Sequence, residues 1–250
     1  MLWYNPNQAF PQKRNLTSVG DKTHKVFHCP KIVDILPKSK LHLKAKSILI
    51  ANTPIEAIMP FTDTCRLSAG QVVRWYPKSD INRDRINSNN LKAIVDTSQT
   101  ISLKYDTSGQ LWTRSTDTTQ LFYTGHPLFI FNLSTTSNET ELQDENLIAV
   151  QEALDSSNQW RPIQIWFWSW CGNSFENIVL KPKHFAIAKI PCYDGNYFTS
   201  LRVKIHAGHK IILSEVYKDW IDYNQFILPD YFKSKDGGLG FNLTFLTDSQ

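Results

Sequence analysis

The chain is short of good helix formers. Ala, Glu and Met number 11, 7 and 2 among 250 residues, whereas Val, Ile, Thr, Tyr, Phe and Trp together number 82. The second group packs well on a pleated surface, and the first favours helices. This shortage excludes a helix bundle and argues against a regular alternating α/β enzyme. Cysteine is sparse too. Cys29, Cys65, Cys171 and Cys192 lie far apart with no paired spacing. That is neither a small disulfide scaffold nor a zinc ribbon, so four free thiols and no bound metal are expected. No apolar run reaches the length that crosses a bilayer, so no membrane-spanning helix is expected. The opening MLWYNPNQAFPQKR has no charged segment followed by an apolar one, so synthesis in the cytoplasm without a secretory signal is expected. A surplus of one charge sign is also missing. The net charge of +4 is too small to call for a nucleic-acid partner. No Gly-rich phosphate loop, nucleophile elbow or His-Glu zinc helix occurs. Neither a cofactor nor enzymatic activity is therefore expected.

What charge there is lies unevenly. Residues 1–50 carry nine Lys/Arg against two Asp, whereas residues 51–180 carry nine against fourteen acids. Lys40, Lys44 and Lys46 alternate with apolar residues, as on a solvated strand face. Residues 1–23 hold Pro6, Pro11 and Gly20 with no sustained period, and read as an extended arm. Short β-type runs follow at Ile55–Met59, Gln71–Tyr76, Leu91–Val95, Ile101–Tyr105 and Leu128–Leu133. A hairpin is expected over 101–114, turning at Asp106–Gly109.

From Ser137 to Asp155 there are six acids and no Lys or Arg. Within this stretch Asn146–Leu154 (NLIAVQEAL) is the best helix candidate, with Asp144 as its cap. Further runs at Ile163–Cys171, Ile178–Leu180, His184–Ile190, Phe198–Ile205, Lys210–Val216 and Leu239–Leu246 have the spacing of a sandwich or barrel. The expected organisation is an arm (1–23), a β-rich lobe (24–136), an acidic, partly helical connection (137–155) and a β-sandwich-like lobe (156–250). The expected fold is mostly β, with antiparallel sandwich, jelly-roll-like or barrel lobes and one short helix.

Aromatic residues supply the candidate contact sites. Trp166, Trp168 and Trp170 alternate, so a strand would point them to one face, with Ile163, Ile165 and Phe167 on the other. Such a face is core, a protein–protein contact or a sugar-stacking platform. The segment 217–232 reads as an aromatic loop with six aromatic residues, among them Trp220, Tyr223 and Tyr231, and the acids Asp219, Asp222 and Asp230. Paired carboxylates beside aromatic rings are what a glycosidase uses, although nothing fixes their separation here.

Metal-ligating patterns are weak. His24, His28 and Cys29, and separately His206 and His209, form isolated pairs that do not complete a zinc site. Asp80-Ile-Asn82-Arg-Asp84 echoes a calcium loop, but Arg85 stands where Gly is required and Leu91 where the closing Glu belongs.

Many short strands, abundant Asn, Thr and Ile, scarce Ala and free cysteines give the chain an overall character. In that character it resembles a β-rich bacteriophage virion component of tail, baseplate or capsid. The resemblance implies a structural protein that works by packing against other subunits in a homo- or hetero-oligomer. It rests on no specific motif, so it transfers no functional residue. A carbohydrate-binding module taking a glycan, or a carbohydrate-active hydrolase using the 217–232 acids, are the alternative readings.

Overall fold

The computed structural model describes residues 29–34, 39–45, 47–51, 53–67, 76–77, 90–104, 122–166, 168, 171–207 and 210–227. Strands dominate these residues, and no helix among them reaches seven residues. The mostly β reading holds, and its larger sheets are antiparallel.

Strands are numbered in chain order. The first sheet runs β4 (Ile55–Pro60), β16 (His184–Pro191), β9 (Phe122–Asn132), β7 (Leu91–Val95), with β8 (Ile101–Lys104) also on β9. Both faces of its centre are apolar. In the β9–β16 ladder, Leu128 lies opposite Ala188 and Ile130 opposite Ala186, and these enter the main core. The intervening pairs, Phe129 with Ile187 and Phe131 with Phe185, enter a second core on the other face. There the Phe129, Phe131 and Phe185 rings lie 5.5–5.8 Å apart. Continuous apolar runs are what a sheet covered on both faces requires.

The second sheet runs β13 (Trp160–Pro162), β12 (Ala149–Leu154), β18 (Tyr197–Ala207), β19 (Lys210–Leu213), with β20 (Tyr217–Ile221) also on β18. Its inward residues Ala149, Ala153, Leu201, Val203, Ile205, Tyr217 and Ile221 share the main core with the first sheet. Two sheets joined through one apolar layer make a β-sandwich. A third sheet, β11 (Asn146–Leu147), β10 (Asn138–Gln143), β15 (Phe175–Leu180) and β6 (Tyr76–Pro77), adds Leu142, Leu147, Ile178 and Leu180 to that core. Three parallel two-stranded ladders complete the described strands. They pair β1 (Lys31–Asp34) with β5 (Thr64–Leu67), β3 (Leu49–Ile50) with β14 (Gln164–Ile165), and β2 (Leu43–Lys44) with β17 (Tyr193–Asp194).

The helix expected over Asn146–Leu154 is instead β11 and β12. Its helical composition yields to pairing with β18 and to burial on both faces. Asp144 caps no helix. With Glu145 it forms a two-residue turn in which both residues have positive φ, 49° and 63°, joining β10 to β11. Two acids of this stretch, Glu152 and Asp155, meet cations. Glu152 is 2.7 Å from Arg202 and 3.5 Å from Lys204, and Asp155 is 3.9 Å from Arg161. The 217–232 segment is not wholly a loop either, since β20 and the 3₁₀ turn Tyr223–Phe226 occupy its first ten residues.

Strands from 24–136 and 156–250 share ladders, as β4 and β9 do with β16. In the expected 101–114 hairpin, β8 forms and pairs with β9, while 105–121 lie outside the described residues. Also outside them are the arm 1–23, His24, His28, His209, the 80–84 acids and the Leu239–Leu246 strand.

Gly195 lies where the chain leaves β17. A Cβ there would fall within the backbone of Ile221 and Asp222 at the end of β20. No side-chain rotation relieves a clash with backbone. Gly195→Ala should therefore cost about 1–3 kcal/mol of folding stability, read as a lower denaturant midpoint. An unchanged midpoint would show that β20 does not depend on this close approach.

Candidate functional site

Two features stand out: a patch of exposed aromatic and aliphatic side chains, and a cluster of His, Cys and Asp between the two main sheets.

The patch lies on the outward side of the β18 ribbon. Phe198 on β18 sits directly opposite Trp220 on β20, their rings 5.2 Å apart and tilted by 49°. Both side chains are about half exposed, at 52% and 47%. Along the same side, Ile211 pairs opposite His206 and Leu213 opposite Lys204. Both are exposed, as is Val216 between β19 and β20. A strand puts alternate residues on opposite faces, so β18 buries Leu201, Val203 and Ile205 while Phe198 faces out. Ile211 and Leu213 lie opposite residues six to eight positions beyond Phe198 on β18, so the Phe198–Trp220 pair itself is the candidate contact point.

The other aromatic candidates divide. Trp166 is buried with Ala51, Ile148 and Val150, and its Nε1 donates to Gln143 Oε1 at 3.1 Å. Trp168 packs against the same cluster, stacked on Phe175 at 5.9 Å and edge-on to His206 at 5.6 Å. Among the described residues of the expected 163–171 strand, Gln164–Ile165 are paired as strand. Trp170 and Tyr231 lie outside the described residues. Tyr223 is half exposed and packs edge-on to Tyr197 and Phe226. Of the acids proposed for hydrolysis, Asp222 caps the 3₁₀ turn by accepting from Asn224 N at 2.8 Å, Asp219 belongs to the cluster below, and Asp230 is outside the described residues.

The His–Cys–Asp cluster has no counterpart among the sequence motifs. His126 points inward from β9, Cys192 follows β16, and Asp219 points inward from β20. One donor atom from each lies within 4.8 Å of the other two. His126 Nε2 is 3.3 Å from Asp219 Oδ2, and its Nδ1 is 2.9 Å from the Gln99 carbonyl. Burial alone would lower the imidazolium pKa. The hydrogen bonds to Asp219 and Cys192, with the Gln99 carbonyl, outweigh it and raise His126 from 6.5 to about 10. Burial also raises the Cys192 thiol. None of the four cysteines is in a disulfide.

Beside this cluster lies a buried polar layer. Gln151 Nε2 donates to the Tyr217 hydroxyl at 2.7 Å, and the Tyr193 hydroxyl donates to Gln151 Oε1 at 3.0 Å. Gln164 Nε2 donates to the Tyr193 oxygen at 2.8 Å, and Gln151 N donates to Gln164 Oε1 at 2.8 Å. Burial raises the Tyr217 hydroxyl far above its ordinary range.

No protein-family model matches the chain, and no curated protein matches it. Among the described residues no helix is long and apolar enough to cross a membrane.

The His126 shift has a pH signature. A group whose folded pKa is raised adds stability that is fully present below the unfolded value and lost as pH climbs through the folded one. In chelator-treated protein, unfolding free energy should therefore fall from pH 6.5 towards about 10. His126→Gln should flatten the slope between about 6.5 and 8, before unfolded-state thiols ionise near their ordinary 9.0. A slope that survives the substitution would assign it to other groups.

Proposed function

We propose that the protein is a structural subunit that works by assembly with other copies of itself or with companion subunits. The observation that carries this reading is the exposed Phe198–Trp220 pair at one end of β18, with Ile211 and Leu213 exposed on the same side further along the ribbon. Burying such a face against a neighbour stabilises association by the hydrophobic effect, at about 25 cal/mol per Å² of apolar area before ordering costs. Aromatic residues near the centre of a contact carry most of its energy. The Phe198–Trp220 pair suits that role because a strand ladder already fixes its geometry. The finer assignment, a bacteriophage virion component of tail, baseplate or capsid, is supported by the chain's composition and its many short strands. A sandwich with apolar side chains exposed on its β18–β20 ribbon is a suitable unit for a repeating shell or tube.

Sedimentation velocity over a range of concentrations tests the reading. The wild-type chain should self-associate. Trp220→Ala should leave the monomer folded and weaken association by about 2 kcal/mol or more. Trp166→Ala supplies the contrast, because that ring is core, and should cost on the order of 3–5 kcal/mol of folding stability. A wild-type chain that stays monomeric at every concentration, or a Trp220→Ala variant that associates as well as wild type, would overturn self-assembly through this face.

A further inference from the structure

His126, Cys192 and Asp219 are not needed for the assembly reading, yet each is held from behind in a way a simple ion pair does not require. We propose that they form a three-donor site for a borderline divalent transition ion of the zinc class, with a fourth position open to water or a ligand.

The donor spacing comes first. Zinc bonds to nitrogen and oxygen are about 2.0–2.2 Å, so two such donors at tetrahedral angles lie roughly 3.3–3.6 Å apart. His126 Nε2 and Asp219 Oδ2 are 3.3 Å apart, and the Cys192 sulfur completes a triangle with all edges within 4.8 Å. An ion can enter with movements of a few tenths of an ångström to about one ångström.

The second argument is the support behind the donors. A histidine that ligates a metal characteristically gives its other ring N–H to a carbonyl or carboxylate, which fixes tautomer and ring plane. His126 Nδ1 donates to the Gln99 carbonyl at 2.9 Å, so Nε2 is the nitrogen that faces Asp219. Gln99 is itself anchored. Its amide donates to Pro30 O at 2.9 Å and Asp96 Oδ2 at 2.7 Å, and its Oε1 accepts from Ile32 N at 2.7 Å. Asp219 is fixed through its other oxygen, since Oδ1 accepts from Trp220 N at 2.8 Å. Cys192 is held by its backbone, whose N–H donates to Thr124 O at 3.0 Å while its carbonyl accepts from Leu43 N at 2.9 Å.

Charge and donor type give the third argument. Ion binding releases the proton of His126 Nε2 and that of the Cys192 thiol. A dipositive ion then faces one thiolate, one carboxylate and a neutral imidazole, which sums to zero. A neutral complex is the form that a buried site tolerates best. Mixed sulfur, nitrogen and oxygen donors suit zinc or cobalt, whereas calcium and magnesium require oxygen. The Tyr217 hydroxyl is engaged by Gln151 and does not complete the set. His126 and Cys192 are sealed, whereas the Asp219 side chain is 22% exposed, so the open position faces the Asp219 side.

The same three residue types invite a nucleophilic reading, which the geometry opposes. A Cys–His–Asp relay needs the carboxylate on one ring nitrogen and the thiol on the other. Here the nitrogen opposite Asp219 is taken by the Gln99 carbonyl.

The test uses the full chain, stripped with chelator and dialysed against zinc or cobalt(II). One equivalent should bind, and the cobalt form should show tetrahedral d–d bands with thiolate charge-transfer absorption. Cys192→Ser should abolish the charge-transfer band. Asp219→Asn should weaken zinc binding by at least about tenfold. A readout independent of variants is alkylation mapped by mass spectrometry. After brief partial unfolding in denaturant, zinc should slow labelling of Cys192 while the exposed Cys171 reacts as before. Failure to bind one equivalent, a charge-transfer band that survives Cys192→Ser, or zinc that leaves Cys192 labelling unchanged would each overturn the site. None of these outcomes touches the outward β18–β20 face, so the assembly reading stands or falls separately.

Discussion

Everything in this fold depends on covering both faces of the β9–β16 ladder. Its residues alternate between two apolar layers, Leu128, Ile130, Ala186 and Ala188 on one side and Phe129, Phe131, Phe185 and Ile187 on the other. A sheet of that kind cannot stand at a surface. The second sheet closes the aliphatic face, and Cys65, Leu67 and Ile32 of the β1–β5 ladder pack on the aromatic face. Segments distant in sequence are drawn together to supply those covers. That is why stretches either side of the acidic connection end in shared ladders.

A sandwich held only by apolar contact would tolerate slippage of one sheet on another. The buried glutamines and tyrosines oppose this. Gln151, Gln164, Tyr193 and Tyr217 satisfy one another in the interior, and a donor left unpaired there costs roughly 1–3 kcal/mol. On the next residue of the same strand, Glu152 lies on the opposite face, buried against Arg202 and Lys204. A slip of one residue in β12 would turn Gln151 away from its tyrosines and Glu152 into the core. Register is thus specified from both faces of one strand. Two acids of the long acidic stretch serve this end, Glu152 against Arg202 and Lys204 of β18 and Asp155 against Arg161 of β13.

Strands with a plain apolar period were legible in the sequence. β7 matches Leu91–Val95, β8 falls within Ile101–Tyr105, and β16 and β18 each extend the reading by one to three residues. Two readings failed for one physical reason, which is that local composition outweighed an alternation visible only with the partners in place. Asn146–Leu154 has helical residues, but its polar members Gln151 and Glu152 lie on opposite faces with separate partners, so no polar face shows in the sequence. In 217–221, Tyr217 and Ile221 point inward and Lys218 and Trp220 outward. Apolar and polar residues occur on both sides of that strand, and the alternation is hidden.

The same blindness kept the His126–Cys192–Asp219 cluster out of reach. Its members come from three places on two sheets, 66 and 27 positions apart in sequence, so no spacing motif joins them. One signal was nevertheless present. Asp219 shares its strand face with the buried Tyr217 and Ile221, and His126 shares its face with Leu128 and Ile130. An ionisable group at an inward position is costly unless it is paired. An inward acid on one strand therefore calls for an inward base on another. Among the described strands, His126 is the inward base that answers it, and the carbonyl of Gln99 behind the ring shows that the pairing is built from both sides. Whatever the cluster binds, the sandwich has placed an acid, a base and a thiol at the seam between its two sheets. There, movement of either sheet would be felt by all three.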